Sequence, residues 1–140
     1  MHLKIMGRVL MNKLTSKQLF MINRKLTGGD SHTEGTLMEK LDEIAAAPYE
    51  QNDMFFYKYR DTVSKAAKLG STLARQKPFA SCNEGTAIIA TLSLLELNGI
   101  RLDGYEDDIE TLASCLCSGD LESCCEWIRC YRVNGTKSPE

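Results

Sequence analysis

A chain of 140 residues, 43% hydrophobic and 26% charged, is long enough to build one domain around a real core. Its net charge of −2 supplies no basic field for nucleic acid or anionic lipid, and pairs such as Lys65/Lys68 or Lys4/Arg8 read as solvated faces. No run reaches the roughly 18 apolar residues of a bilayer span, so neither nucleic acid nor membrane is expected as a partner.

Residues 1–13 read as an N-terminal leader, disordered or lying upstream of a true start at Met11. They lack the continuous apolar stretch and small-residue cleavage site of a signal peptide, and a cytoplasmic protein is expected. Thr15 or Ser16 then caps a first helix carrying Leu19, Phe20, Ile22 and Asn23, stopped by Gly28-Gly29. Gly28 to Gly35 is a loop by composition. Leu37, Leu41 and Ile44 mark a second amphipathic helix that ends before Pro48.

Tyr49 to Asp53 reads as a connector, and Met54 to about Arg75 as one long helix. Four aromatics (Phe55, Phe56, Tyr57, Tyr59) fall within five positions and cannot all face inward, so one or two are expected at the surface or in an interface. Gly70 inside this helix costs about 1 kcal/mol against alanine unless a close neighbour needs the space. The most hydrophobic helix runs from about Asn83 to Leu97, apolar nearly all round and therefore expected at the centre, with Asn98-Gly99 as its stop.

Ile100 to Leu102 reads as a short extended piece. Glu106 to Cys117 and Leu121 to Arg132 read as two further helices, separated by the stop-and-cap sequence Ser118-Gly119-Asp120. Residues 133–140 read as a frayed polar tail. The expectation is one all-α domain, 14–132, of about six helices around a buried central one.

Six cysteines (Cys82, Cys115, Cys117, Cys124, Cys125, Cys130) contain no C-x-x-C pair, and only His2 and His32 could assist them. Cys115 and Cys117, two apart, point to different faces of a helix, so no metal site is expected. They read as small buried apolar groups in a reducing compartment.

The segment Lys77-Pro-Phe-Ala-Ser-Cys-Asn-Glu-Gly-Thr-Ala87, running into a helix that ends Leu94-Leu-Glu-Leu-Asn-Gly99, resembles the Fic/Doc family, specifically its Doc (death-on-curing) branch. That family carries H-x-F-x-[D/N]-[G/A]-N-[K/G]-R-T-A followed by an apolar helix ending L-x-x-N-G. Phe79, Asn83, Thr86 and Ala87 fall in register, and helix order matches from Leu14 to Arg132. The resemblance implies an all-α Fic/Doc-like fold and transfer of AMP or phosphate from ATP, with Mg²⁺, onto a protein hydroxyl. It also implies a toxin–antitoxin setting, in which the partner is an antitoxin-like helix or a translation factor such as elongation factor Tu. A further copy of the chain is another partner to weigh.

Carried over position by position, the resemblance puts the general base at Lys77, the magnesium-assisting acid at Ser81, and the phosphate loop at Ser81, Asn83, Glu84, Gly85 and Thr86. Lysine is protonated near neutral pH and serine is a weak magnesium ligand. Glu84 and Gly85 replace two cations by one carboxylate. A carboxylate about 5 Å from a phosphate oxygen costs roughly 3 kcal/mol at an effective dielectric of 20, more than the roughly 1 kcal/mol of a single loop amide bond. Glu84 instead suits the helix dipole, and Asn83 is a good helix N-cap in its own right.

Three readings follow. The chain is a Doc-like protein with an eroded transferase motif that acts through protein binding. It is a divergent transferase in which Lys77 clamps phosphate and His32 is the base, assisted by Tyr57, Tyr59 or Glu84. Or it is an unrelated helical interaction module.

Overall fold

The computed structural model describes residues 12–29 and 35–133. The leader to Met11, His32 and the tail beyond Val133 lie outside the described residues. Among the described residues, six α-helices and no strand are present: α1 Ser16–Thr27, α2 Gly35–Ala46, α3 Thr62–Gln76, α4 Asn83–Leu97, α5 Ile109–Ser118 and α6 Leu121–Tyr131. The protein is an all-α domain, and none of these helices is long and apolar enough to cross a membrane.

Local chemistry sets most of the boundaries. Thr15 and Gln18 form a reciprocal capping box at the start of α1, and Gly28, left-handed at φ 81°, ends it. The helical path of α2 tightens into a 3-10 turn at Ala47–Tyr49, where Pro48 removes the donor a further α-turn needs. Asp61 and Ser64 cap α3 reciprocally, and Asp120 caps α6 through its bond from the Ser123 amide.

Two expectations are corrected. The long helix from Met54 does not form, since α3 begins only at Thr62. The Asn52 carboxamide oxygen accepts from the Met54 amide at 2.8 Å and the Phe56 amide at 3.1 Å, which competes with helix. Phe55 is left-handed at φ 66°, and a bridge pairs Gln51 with Tyr57. Residues 50–61 are thus a hydrogen-bonded turn, and all four aromatics sit on it.

The second correction concerns the centre. Ten of the fifteen residues of α3 are buried, against six of fifteen in α4. The α3 helix packs against α2, α4, α5 and α6, while α4 meets α1, α3 and α5 and leaves Ile89 and Leu97 exposed. Centrality follows from small residues (Ala66, Ala67, Gly70, Ser71, Ala74), which let four helices approach one axis, rather than from hydrophobicity.

The C-terminal pair α5–α6 closes the domain. Trp127 packs edge-on to Tyr105 at 5.9 Å and tilted on Tyr131 at 4.8 Å. The extended piece expected at Ile100 to Leu102 makes one bridge, Leu102 to Arg132, flanked by the Asp103 amide donating to the Tyr131 carbonyl at 2.9 Å. At the other end of the chain, the Asn98 carboxamide accepts from the Asn12 amide at 3.1 Å and donates to the Asn12 carbonyl at 3.0 Å, tying the residues before α1 to the end of α4.

Candidate functional site

Residues 77–82 join α3 to α4, which run back along each other as a hairpin. Lys77, exposed at the end of α3, is left-handed at φ 48°, as is Cys82 at φ 60°. For residues other than glycine this conformation costs roughly 1–2 kcal/mol each, so the loop is held in place by its surroundings.

Asn83 is one such constraint, and its role corrects the expectation of an N-cap. The N-cap position is occupied by Cys82, which makes no side-chain capping bond. Asn83 lies one residue inside the helix and turns back on the loop. Its Oδ1 accepts from the Phe79 amide at 2.9 Å and its Nδ2 donates to the Phe79 carbonyl at 2.9 Å. This two-way clasp closes the loop and uses both ends of the carboxamide, while Phe79, 6% exposed, anchors it in the core.

A second constraint reaches in from α1. The Asn23 Nδ2 donates to the Ser81 carbonyl at 2.9 Å and to Thr86 Oγ1 at 3.0 Å. Thr86 in turn donates to the Cys82 carbonyl at 2.7 Å. Asn23 and Thr86 are both buried, so the network is shielded from water and holds loop, α4 and α1 as one piece. Sequence reading placed Asn23 on the first helix without assigning it this task. The available signal was a carboxamide on the same face as Leu19, a position where burial demands hydrogen-bond partners.

The remaining positions lie on the rim. Ser81 is exposed. The Cys117 thiol on α5 donates to Glu84 Oε2 at 3.3 Å. Burial, and then that bond, push the Cys117 thiol upward, while the nearby Lys77 ammonium opposes the rise. Gly85 faces α1, where an added Cβ would lie 3.2 Å from Leu26 Cδ1, so its small size has a packing reason. Of the expected site residues, Asn83 and Thr86 each take part in a constraint on the loop, Asn83 with Phe79 and Thr86 with Asn23, whereas Lys77, Ser81 and Glu84 are exposed.

The cysteines are divided. Cys124 and Cys125 are buried as expected, but Cys82, Cys117 and Cys130 are exposed. Burial pushes the Cys124 thiol up to about 12, which leaves it inert as a nucleophile. Among the described residues no group of three or more His, Cys, Asp or Glu side chains is gathered as a metal site would require.

Two apolar features lie elsewhere on the surface. Met54, Phe55 and Phe56 are 70%, 79% and 57% exposed on the turn before α3. Lys65 fastens that turn from below, although only 1% exposed. Its ammonium donates to the Tyr59 carbonyl and, at 3.1 Å, to the Arg60 carbonyl, and lies 4.4 Å from the Tyr57 ring centre. The second feature is a groove of about 460 Å³ between α1 and α4, with Leu14, Met21, Ile22 and Leu97 along it and Gln18, Lys25 and Glu96 at its polar edge. Lys13, beside the groove residue Leu14, sits 4.4 Å over the Tyr49 ring at the foot of the turn.

No family model, curated protein or solved structure significantly matches the chain.

Proposed function

We propose that this is a Doc-like helical protein of toxin–antitoxin type whose transferase loop is eroded and which acts by binding another protein. The observation that carries the binding role is the turn bearing Met54, Phe55 and Phe56. Its backbone is held by Asn52 and Lys65, so these apolar side chains are presented to water on a fixed support. Exposing them costs solubility unless a partner covers them. The groove between α1 and α4, with an apolar floor and mixed-charge edge, suits the apolar face of an amphipathic helix.

The loop at 77–86 supports the loss of transfer chemistry. Its retained polar residues, Asn83 and Thr86, are spent on holding the loop shut, and Glu84 accepts a bond from a cysteine rather than standing clear for a phosphate. The family ancestry itself rests on the in-register Phe79, Asn83, Thr86 and Ala87 and on the Asn98-Gly99 helix stop.

Photo-cross-linkers placed at position 55 and at position 21 in the native cell test the reading. Both should capture the same protein, and Phe55→Ser with Phe56→Ser should abolish capture. In parallel, the purified protein with labelled ATP, Mg²⁺ and cell extract should transfer no label. Magnesium-dependent nucleotide binding with label transfer lost in Lys77→Ala would refute it and favour the divergent transferase.

A further inference from the structure

A cavity of about 400 Å³ opens between α3 and the turn joining α5 to α6, lined by Lys68, Ser71, Thr72, Arg75, Gln76, Gly119 and Leu121. The five residues from α3 are spaced three and four apart, so they form one face of that helix. It is the polar side of that amphipathic helix, with Ser71 and Thr72 buried and Arg75 and Gln76 exposed.

Its side chains carry two positive charges. Neither Lys68 nor Arg75 has a carboxylate partner among the described residues, where the ion pairs are Lys58 with Glu50 and Arg129 with Asp61. The acid on the turn, Asp120, is engaged by Ser123, accepting from its amide at 3.2 Å and its hydroxyl at 2.7 Å. Lys68 reaches only an aromatic face, 5.4 Å from the Tyr59 ring centre.

Two further observations point to a ligand. Ser71 is 5% exposed, lines the cavity, and its hydroxyl makes no hydrogen bond to any described residue. That hydroxyl is not sealed inside the core, so its donor is available on the cavity side. The Arg75 side chain, on an exposed residue, also lines the cavity. It lies over Gly119, where an added Cβ would come within 2.1 Å of Nη1. Gly119 is left-handed at φ 79°, so glycine there serves both the chain reversal and the arginine.

A guanidinium, an ammonium and a hydroxyl donor line one concavity, and that donor set matches a tetrahedral oxyanion. The cavity exceeds what a bare phosphate fills and falls in the size range of small-molecule sites. We infer that this cavity binds a small organic phosphate ester, with Arg75 and Lys68 holding the charge and Ser71 donating to a phosphate oxygen. The inference does not rest on the toxin–antitoxin reading, since no lining residue belongs to the 77–86 loop.

The test is a nuclear magnetic resonance titration of the ¹⁵N-labelled full chain with glycerol 2-phosphate, alongside inorganic phosphate and succinate. Saturable shifts should centre on the amides of Ser71, Thr72, Gly119 and Leu121, with the ester binding tighter than either control. Ser71→Ala breaks no hydrogen bond to a described residue and should keep the fold, yet weaken binding roughly tenfold, the effect of losing one bond to a charged group. Lys68→Gln, at a half-exposed position, should weaken it as well. Absence of saturable shifts, shifts centred elsewhere, or equal binding by wild type and Ser71→Ala overturns the site. Tighter binding of succinate overturns the phosphate assignment.

Discussion

Gly70 of α3 faces Thr91 of α4 so closely that a Cβ added at Gly70 would lie 1.9 Å from Thr91 Oγ1 and 2.9 Å from Leu116 Cδ2. Thr91 cannot step aside easily, being fully buried and bonded to the Ala87 carbonyl at 2.8 Å. Helix propensity alone would reward Gly70→Ala by about 1 kcal/mol, but overpacking a rigid contact costs about 1–3 kcal/mol or more. Gly70→Ala is therefore expected to destabilise the domain by about 2 kcal/mol in urea unfolding. In a Thr91→Ala background most of that cost should vanish. A cost that stays the same would place the strain elsewhere.

Asn83 and Phe79 make the corresponding relationship in the loop. At an N-cap, asparagine and aspartate are nearly equivalent, so Asn83→Asp would be silent if capping were its role. As a clasp, Asn83 must donate to the Phe79 carbonyl, and aspartate would set a carboxylate against that oxygen. Asn83→Asp should cost about 1–3 kcal/mol and speed hydrogen exchange at the Phe79 amide. Unchanged stability would restore the capping role.

These two residues show how far the sequence could be read. Helix boundaries marked by local chemistry, such as Thr15 with Gln18, the stop at Gly28, and Gly119-Asp120, were legible because cap and stop are short-range effects. The suspicion that Gly70 serves a close neighbour was legible too, though not which neighbour. The start of α3 was not. Met54 to Arg60 has apolar spacing that suits a helix, and the Asn52 side chain and the Lys65 ammonium, several residues away on either side, divert it. Nor was the central helix legible, because α4 has the more apolar residues while α3 has the smaller ones. In the loop, Asn83 and Thr86 could be picked out as retained, but Asn23, 63 positions from Thr86, could be joined to it only by the fold.

Lys65 is expected to act on the turn rather than on the core. Burial lowers the affinity of its ammonium for the proton, and Asp61 nearby opposes that fall. Lys65→Met keeps the stem in place and removes the bonds to the Tyr59 and Arg60 carbonyls. Hydrogen exchange at the Phe56 and Lys58 amides should accelerate while α3 stays protected. Equal acceleration along α3 would show that Lys65 supports the helix itself.

Tyr49 carries a buried hydroxyl with no hydrogen-bond partner among the described residues. Burial first, and the neighbouring Tyr57 second, push its ionisation up to about 12 from 10.0. Removing an unsatisfied polar group relieves about 1–3 kcal/mol, so Tyr49→Phe should stabilise the protein. The folded state also favours the neutral phenol, so that contribution holds below pH 10 and is lost as pH rises towards 12. The variant should therefore lose less stability over that window than the wild type. A destabilised variant would mean the hydroxyl has a partner.

The Asp108–Tyr131 bond should be sensitive at both ends of the pH scale. Tyr131 Oη donates to Asp108 Oδ2 at 2.6 Å, joining the start of α5 to the end of α6, and Thr111 donates to the other carboxylate oxygen at 2.6 Å. The Thr111 bond first, and the Tyr131 bond next, hold the Asp108 carboxyl below 3.8. The same Tyr131 bond holds the phenol above 10.0. A lowered carboxylate contributes stability above its unfolded value and loses it as pH falls through the folded value. A raised phenol contributes below its unfolded value and loses it as pH rises. The bond is thus fully present from about pH 4 to 10 and fades on either side. Tyr131→Phe should lower stability across that plateau and converge with the wild type in acid and in alkali, as read from urea midpoints at each pH. A constant difference at all pH values would show that the hydroxyl matters through packing rather than through this charge-assisted bond.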